Sequence, residues 1–264
     1  SAGAERWRSG VIAPPLVGRN AVITGGGRGI GAAVTRSLAE AGATVLACSR
    51  HEAAATQRSA QLNVRGDRAF SVACDVTDPQ SVAAMAAYAA DKLGHIDILV
   101  NNAGRAHSAP LHHQTLEEWN RLFAVNATGT FLCPQAFAPA MAKEGWGRVV
   151  NTASLAARKG MRYVSAYAAT KHAVLGFTRC IAAEMAERGV TVNAICPGYV
   201  DTDMTTQTVE RIISKTGLSR EEALASILQT TPQRRLIDPD EIAFIATMLC
   251  GEGARSINGQ AIGI

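Results

Sequence analysis

Tyr167 and Lys171 lie four residues apart, so they share a face if the segment around them is helical. An ammonium near a phenol favours the phenolate and lowers a pKa that starts near ~10. The tyrosine is thereby brought closer to an effective acid/base at neutral pH. Ser154, thirteen residues upstream, closes an apolar run. Its hydroxyl can hydrogen-bond a substrate oxygen and share the charge that develops there. Reducing a carbonyl needs a proton at oxygen and a hydride at carbon. These three side chains suit the oxygen side of that chemistry.

A candidate site for a hydride donor lies near the start of the chain. Thr24-Gly25-Gly26-Gly27-Arg28-Gly29-Ile30-Gly31 follows an apolar run and opens a helix-like segment. The spacing of Gly25, Gly29 and Gly31 is GxxxGxG, not the GxGxxG fingerprint. Glycines allow a tight turn and close approach of backbone to a pyrophosphate, and a helix N-terminus supplies N–H donors and a favourable dipole. The second apolar run ends at Ser49-Arg50. Arg28 and Arg50 could converge on the 2′-phosphate of NADP with bidentate geometry. Glu52 is the one nearby acid that would argue for NAD. The pattern predicts NADP(H).

Apolar runs alternate with longer Ala-, Leu- and Glu-rich stretches. The runs are 21–23, 44–47, 69–72, 96–100, 148–151 and 190–195, and helix-like segments lie near 30–41, 51–63, 78–93, 116–142 and 166–188. Strand and helix in repetition, with strands apolar on both faces, predict an α/β doubly wound parallel β-sheet flanked by helices. One domain is expected over residues 17–264, with 1–16 as an extension ahead of the first strand. Residues 201–236 form a long polar insertion after a strand end, read as a helical substrate lid with helices near 209–214 and 220–229. The chain stops within what reads as a final strand, 259–264, which suggests a tail beyond it.

Composition narrows the function further. Hydrophobic residues are 47%, charged residues 18% and the net charge is +4, as for an ordinary globular protein. No basic block suggests a nucleic-acid partner, and no apolar stretch is long enough for a membrane span. A mildly basic surface fits anionic small molecules better than DNA. The six cysteines are scattered without a CxxC pair, which suits reduced thiols and a cytoplasmic location. No metal site is expected: His112 and His113 read as solvated loop histidines, and Cys196, beside Pro197, as core. Tyr163 has no lysine at the right spacing and reads as pocket or core.

The glycine turn, Asn101-Asn102-Ala103-Gly104, Asn126, Ser154, Tyr167-Ala168-Ala169-Thr170-Lys171 and Pro197-Gly198 stand in the order and spacing of one family. Over roughly residues 18–264 the chain resembles the short-chain dehydrogenase/reductase family, whose fold is a single Rossmann-type domain. The overall pattern is similar to its 3-oxoacyl thioester reductases, which act on acyl carrier protein or CoA derivatives. The resemblance implies that Asn126, Ser154, Tyr167 and Lys171 are catalytic, with Asn126 holding a water in a proton relay to Lys171. It implies that Tyr167 and Lys171 meet the nicotinamide ribose. Asp75, Val76, Asn102, Ala103 and Gly104 would line the adenosine half, and Pro197, Gly198, Val200 and Thr202 the nicotinamide amide. Arg188 stands where carrier-protein-dependent members have a docking residue, whereas Lys143-Glu144-Gly145 does not match a second basic site. An acyl carrier protein, a CoA thioester and a free ketone all remain open as substrate.

The family also implies a homotetramer built on the segments 116–142 and 166–188, where Phe131, Phe137, Phe177 and Ile181 supply apolar surface. Rival readings are a dehydrogenase working in the oxidative direction and a non-catalytic dinucleotide sensor. The intact Ser154, Tyr167 and Lys171 speak against the sensor. The lack of a second substrate domain speaks against a sugar-nucleotide epimerase.

Overall fold

A computed structural model describes residues 16–50, 52–64 and 68–264. The expected N-terminal extension lies outside these residues except for Leu16, which is buried in the core, its N–H bonded to the Ala41 carbonyl at 2.7 Å. The side chain of Glu52 lies outside them too.

Among the described residues, seven parallel strands form one sheet: β1 (Asn20–Thr24), β2 (Thr44–Ser49), β3 (Ala69–Ala73), β4 (Ile98–Asn101), β5 (Gly147–Thr152), β6 (Val190–Cys196) and β7 (Ala261–Gly263). Their order is β3-β2-β1-β4-β5-β6-β7. From β1 the sheet winds outward to β3, then the chain returns to place β4 on the other side of β1. Adjacent residues of a strand face opposite sides of the sheet, so both must be apolar for it to be covered twice. Ile23 with Ile98 and Ile195 fills one core, and Val22 with Leu46, Leu99 and Val192 fills the other.

Helices α1 (Gly29–Glu40), α2 (Glu52–Val64), α3 (Pro79–Leu93), α4 (Leu116–Phe123), α5 (Gly129–Glu144), α6 (Ser165–Met185), α7 (Asp203–Thr216), α8 (Arg220–Leu228) and α9 (Pro239–Cys250) cover the sheet. Local chemistry marks several starts. Asp78 caps α3 by accepting from the Gln80 N–H at 3.0 Å, with Pro79 at the first helical position. Ser219 with Glu222, and Asp238 with Glu241, form capping boxes on α8 and α9. Helix α9 was not among the expected elements, although Asp238-Pro239-Asp240-Glu241 is a strong start signal. It packs against α1 and closes one core with Ile242, Ala246 and Leu249.

The segment 116–142 is not one helix. A wide π turn, Ala124–Thr128, separates α4 from α5. The Thr130 hydroxyl donates to the Asn126 carbonyl at 2.7 Å, and the Asn126 side chain turns toward other elements. Such turns concentrate at functional sites. Within α5, Phe137 is 5% exposed and belongs to the core, so it is not the available surface that the sequence suggested. Phe131 is 44% exposed and meets Phe177 of α6 edge-on, with ring centres 6.1 Å apart.

The insertion 201–236 holds α7, longer than expected, and α8. They pack on each other through Val209, Ala223 and Ile227, with Tyr199 beneath. At the amino-terminal edge of the sheet, Arg19 and Arg148 stack on the Trp146 ring at 3.6 and 4.3 Å. Trp146 donates to Glu252 at 2.6 Å, and Arg19 pairs with Asp97 at 2.8 Å. This cluster ties the starts of β1, β4 and β5 to the turn after α9.

Candidate active site

In an open α/β sheet, ligands bind beyond the carboxyl ends of the strands where the winding direction reverses. Here that point lies between β1 and β4. The glycine turn leaves β1 with Gly25 at φ +65° and Gly29 at φ +50°. Gly31 is fixed by proximity: an added Cβ would lie 2.1 Å from the Gly25 carbonyl oxygen and 2.5 Å from Asn102 Nδ2. The turn is locked to the loop after β4. Asn102 Nδ2 donates to the Thr24 carbonyl at 3.1 Å, and the Asn102 and Ala103 N–H groups both donate to Thr24 Oγ1 at 3.0 Å. The sequence pattern did not single out Thr24; its signal is a hydroxyl at the end of an apolar strand.

Helix α1 begins with no side-chain cap on its N–H groups and no acid in its first turn. Its glycine cradle would fill if any Cβ were added, so the residues present fit the diphosphate of a dinucleotide. Ile30 lies in the first turn of α1, packed against the core. Arg28 sits at the N-cap in an extended conformation, exposed; Arg50, after Ser49 at the end of β2, is exposed as well. Strands β1 and β2 are neighbours with Thr24 opposite Cys48, which places both arginines on one rim. Asp75 follows β3. It is held below the usual carboxylate range chiefly by the Thr77 N–H, with a smaller contribution from nearby Arg50. Val76 is buried against Gly129, where an added Cβ would come within 2.7 Å of it.

The loop from Pro197 to Thr202 bridges the two halves of the site. The Pro197 carbonyl accepts from Leu155 N–H at 2.9 Å, beside Ser154. Gly198 donates to Ile264 at 3.0 Å, and Val200 forms a bridge to Ile237. Thr202 lies against the glycine turn, 3.2 Å from the Cβ that Gly29 lacks.

Ser154, Tyr167 and Lys171 come together as predicted. Ser154 caps the short 3-10 turn Leu155–Ala157, its Oγ accepting the Ala156 N–H at 3.1 Å. It also hydrogen-bonds the Tyr167 side chain. Lys171, one turn along α6, is 5% exposed; its Nζ lies 5.8 Å from the Tyr167 ring centre and donates to the Thr152 carbonyl at 2.7 Å. The electrostatics differ from expectation. Burial pushes the Tyr167 phenol above its ordinary value, and the Ser154 hydrogen bond is the main force in the other direction. The Lys171 ammonium lies beside the ring, held there by the Thr152 carbonyl. Burial in turn brings Lys171 down to about 8.

Asn126 ties these parts to one another. Its Nδ2 donates to the Arg105 carbonyl at 2.9 Å and to Thr170 Oγ1 at 3.0 Å, and its Oδ1 accepts the Arg105 N–H at 2.9 Å. Its amide thus anchors the loop after β4 to α6. That loop passes over the lysine: a Cβ at Gly104 would lie 3.3 Å from Asn126 Oδ1 and 3.6 Å from Lys171 Nζ. Thr152 and Thr170 were missed from sequence, since their roles arise only when β5, α5 and α6 meet.

Other expectations fare variously. Cys196 is buried, its thiol pushed up by burial, as a core residue should be. His112 and His113 are exposed on a 3-10 turn, and among the described residues no group of side chains could hold a metal ion. Tyr163 is not core: it is 58% exposed and adopts φ +66°. A bulky residue there carries a backbone cost on the order of 1–3 kcal/mol. Its carbonyl accepts the Ala109 N–H at 2.7 Å, which joins the loop after β4 to the loop before α6.

The geometry combines a glycine turn that fits a dinucleotide with a tyrosine–serine–lysine cluster. A family model described as short chain dehydrogenase matches residues 19–212, and the chain belongs to that family. It is 36% identical over 248 residues to a D-beta-hydroxybutyrate dehydrogenase of Rhizobium meliloti, covering 92% of this chain and 96% of that one. It is 37% identical over 247 residues to the 3-oxoacyl-[acyl-carrier-protein] reductase FabG of Vibrio cholerae, covering 94% and 96%. Among solved structures, a variant of actinorhodin polyketide ketoreductase crystallised with NADPH superimposes with a TM-score of 0.90 at 34% identity, covering 93% of this chain and 95% of that one. The protein is therefore a nicotinamide-dinucleotide oxidoreductase acting on ketones or secondary alcohols. Among the described residues, no helix is long and apolar enough to cross a membrane.

Proposed function

We propose that the protein uses NADPH to reduce a ketone to a secondary alcohol, with Tyr167 donating the proton. The observation that carries this is the convergence of Ser154 and Lys171 on Tyr167 at the open end of the glycine cradle. When bound, the nicotinamide supplies the hydride. Ser154 hydrogen-bonds the carbonyl oxygen and Tyr167 delivers the proton to it. A phenol raised by burial stays protonated at neutral pH, as a donor must. Lys171 binds the nicotinamide ribose, and Asn126 positions the loop above the lysine and takes part in returning the proton.

The substrate we propose is a 3-oxoacyl thioester or a similar ketone, in keeping with the ketoacyl reductases among the relatives. Arg188, exposed after α6, would meet an acyl carrier protein. The oxidative direction is the second reading, favoured by the D-beta-hydroxybutyrate dehydrogenases among the relatives. NADPH oxidation against acetoacetyl-CoA, acetoacetate esters and cyclic ketones tests the proposal. Faster oxidation of the matching alcohols with NAD would replace reduction by dehydrogenation. A cytoplasmic location accords with free thiols at all six cysteines.

Two further expectations arise here. Lys171 is charged below about 8 and neutral above it. Because its charge assists binding and proton transfer, kcat/KM for reduction should fall as pH rises through that value. Lys171→Arg, which stays charged, should abolish that fall while lowering the plateau. A decline of the same midpoint in the variant would remove Lys171 as its source. The apolar surface at Phe131 and Phe177, on α5 and α6, supports a homotetramer; light scattering at micromolar concentration should give four chains, and a monomer would contradict it.

A further inference from the structure

The loops bordering the catalytic cluster are one-sided in charge. Residues 102–116 and 154–166 contain Arg105, Arg158, Lys159 and Arg162, with three histidines and no Asp or Glu. Glu118 of α4 neutralises Arg105 at 2.8 Å. The lid adds another cation: Arg211 of α7 is exposed, with Nη1 3.5 Å from the Ser108 hydroxyl. Among the described residues, no carboxylate lies within ion-pair distance of Arg211. Its neighbour across the gap, His107, lies 3.8 Å from Glu118.

Ser108 stands on the rim of the reaction site. The loop that carries it starts at Gly104, over Lys171 Nζ, and reaches Ala109, which is bonded to Tyr163 between Ser154 and Tyr167. Arg211 therefore reaches from the lid to the mouth of the catalytic cluster. A guanidinium has five N–H donors, and one long bond to a hydroxyl leaves most of them for a stronger acceptor. The Ser108 hydroxyl can donate to the same acceptor. The lid acids nearest in sequence are Asp203, in the first turn of α7, and Glu210, which projects about 100° around the helix from Arg211.

We propose that Arg211 and Ser108 form an anion-recognising subsite that holds the charged end of the substrate, so the enzyme selects anionic 3-oxo compounds over neutral ketones. The proposal rests on the reduction reading given above. The anion is a carboxylate on a short 3-oxo acid or a phosphate on a thioester carrier, and the two are separable.

The test is steady-state reduction of acetoacetate, acetoacetyl-CoA and the neutral methyl acetoacetate by wild type, Arg211→Ala and Arg211→Lys. The expected result is that Arg211→Ala lowers the ratio of kcat/KM for an anionic substrate over the neutral ester by about tenfold or more, through KM, since a charge-assisted hydrogen bond is lost. Arg211→Lys should recover part of that ratio. A change confined to acetoacetate assigns a carboxylate, one confined to acetoacetyl-CoA assigns a phosphate, and a change in both assigns a subsite open to either. An unchanged ratio, or turnover of the neutral ester alone by wild type, overturns the subsite and leaves ketone reduction standing. Absence of turnover with all three, together with oxidation of the corresponding alcohols, would instead defeat the reduction reading.

Discussion

Replacing Tyr167 by phenylalanine should lower turnover by at least about 100-fold, the lower range for losing a general acid, with NADPH still bound. The aromatic ring stays, so packing around the start of α6 is kept. The hydroxyl is lost, and with it the Ser154 hydrogen bond that counters burial of the phenol. Fluorescence titration with NADPH would separate binding from chemistry. Retention of a tenth of the wild-type rate would remove Tyr167 from the role. Ser154→Ala should cost a similar or smaller factor, because the oxygen would lose one hydrogen bond but keep its proton donor.

Arg50→Asp should lower or invert the kcat/KM preference for NADPH over NADH and leave the saturated rate largely alone. The adenosine 2′-phosphate adds nearly two negative charges that NADH lacks. If Arg28 and Arg50 both reach it, each charged hydrogen bond should contribute ~1.5–3 kcal/mol, or tenfold and upward in affinity. An aspartate there repels the phosphate and offers an acceptor to the ribose hydroxyls of NADH, so both effects move the ratio the same way. Arg50 also helps keep Asp75 ionised, and a carboxylate in its place would repel that neighbour. Arg50→Ser is the companion variant, removing the cation without adding a charge. Equal use of both cofactors by wild type, or an unchanged ratio in Arg50→Asp, would show that Arg50 does not meet the cofactor.

The sheet was legible because its strands are buried on both faces, which leaves unbroken apolar runs such as Ala21 to Ile23 and Ile98 to Val100. The meeting of Ser154, Tyr167 and Lys171 was legible because two of the three share one helix. What escaped depends on contacts between distant segments. The phenol rises where a fall was expected because the fold buries it, and spacing along a helix does not record burial. The break in 116–142 falls where the Asn126 side chain leaves the helix for Arg105 and Thr170, and a 3.6-residue pattern does not record that choice. Phe137 looked like surface because periodicity shows that a residue is apolar, not which neighbour it faces. Helix α9 is a different case, since its capping signal stood in the sequence unused.

Because all seven strands run the same way, the domain has two ends with separate duties. Every segment proposed for chemistry leaves a strand at one end, while the Arg19–Trp146–Arg148–Glu252 stack fastens the other. Loops at the first end can lengthen, shorten or change charge over evolutionary time without loosening that clasp. A descendant of this chain could thus adopt a new substrate through its lid while inheriting its solidity unchanged, and a designer could graft a foreign lid onto the same base.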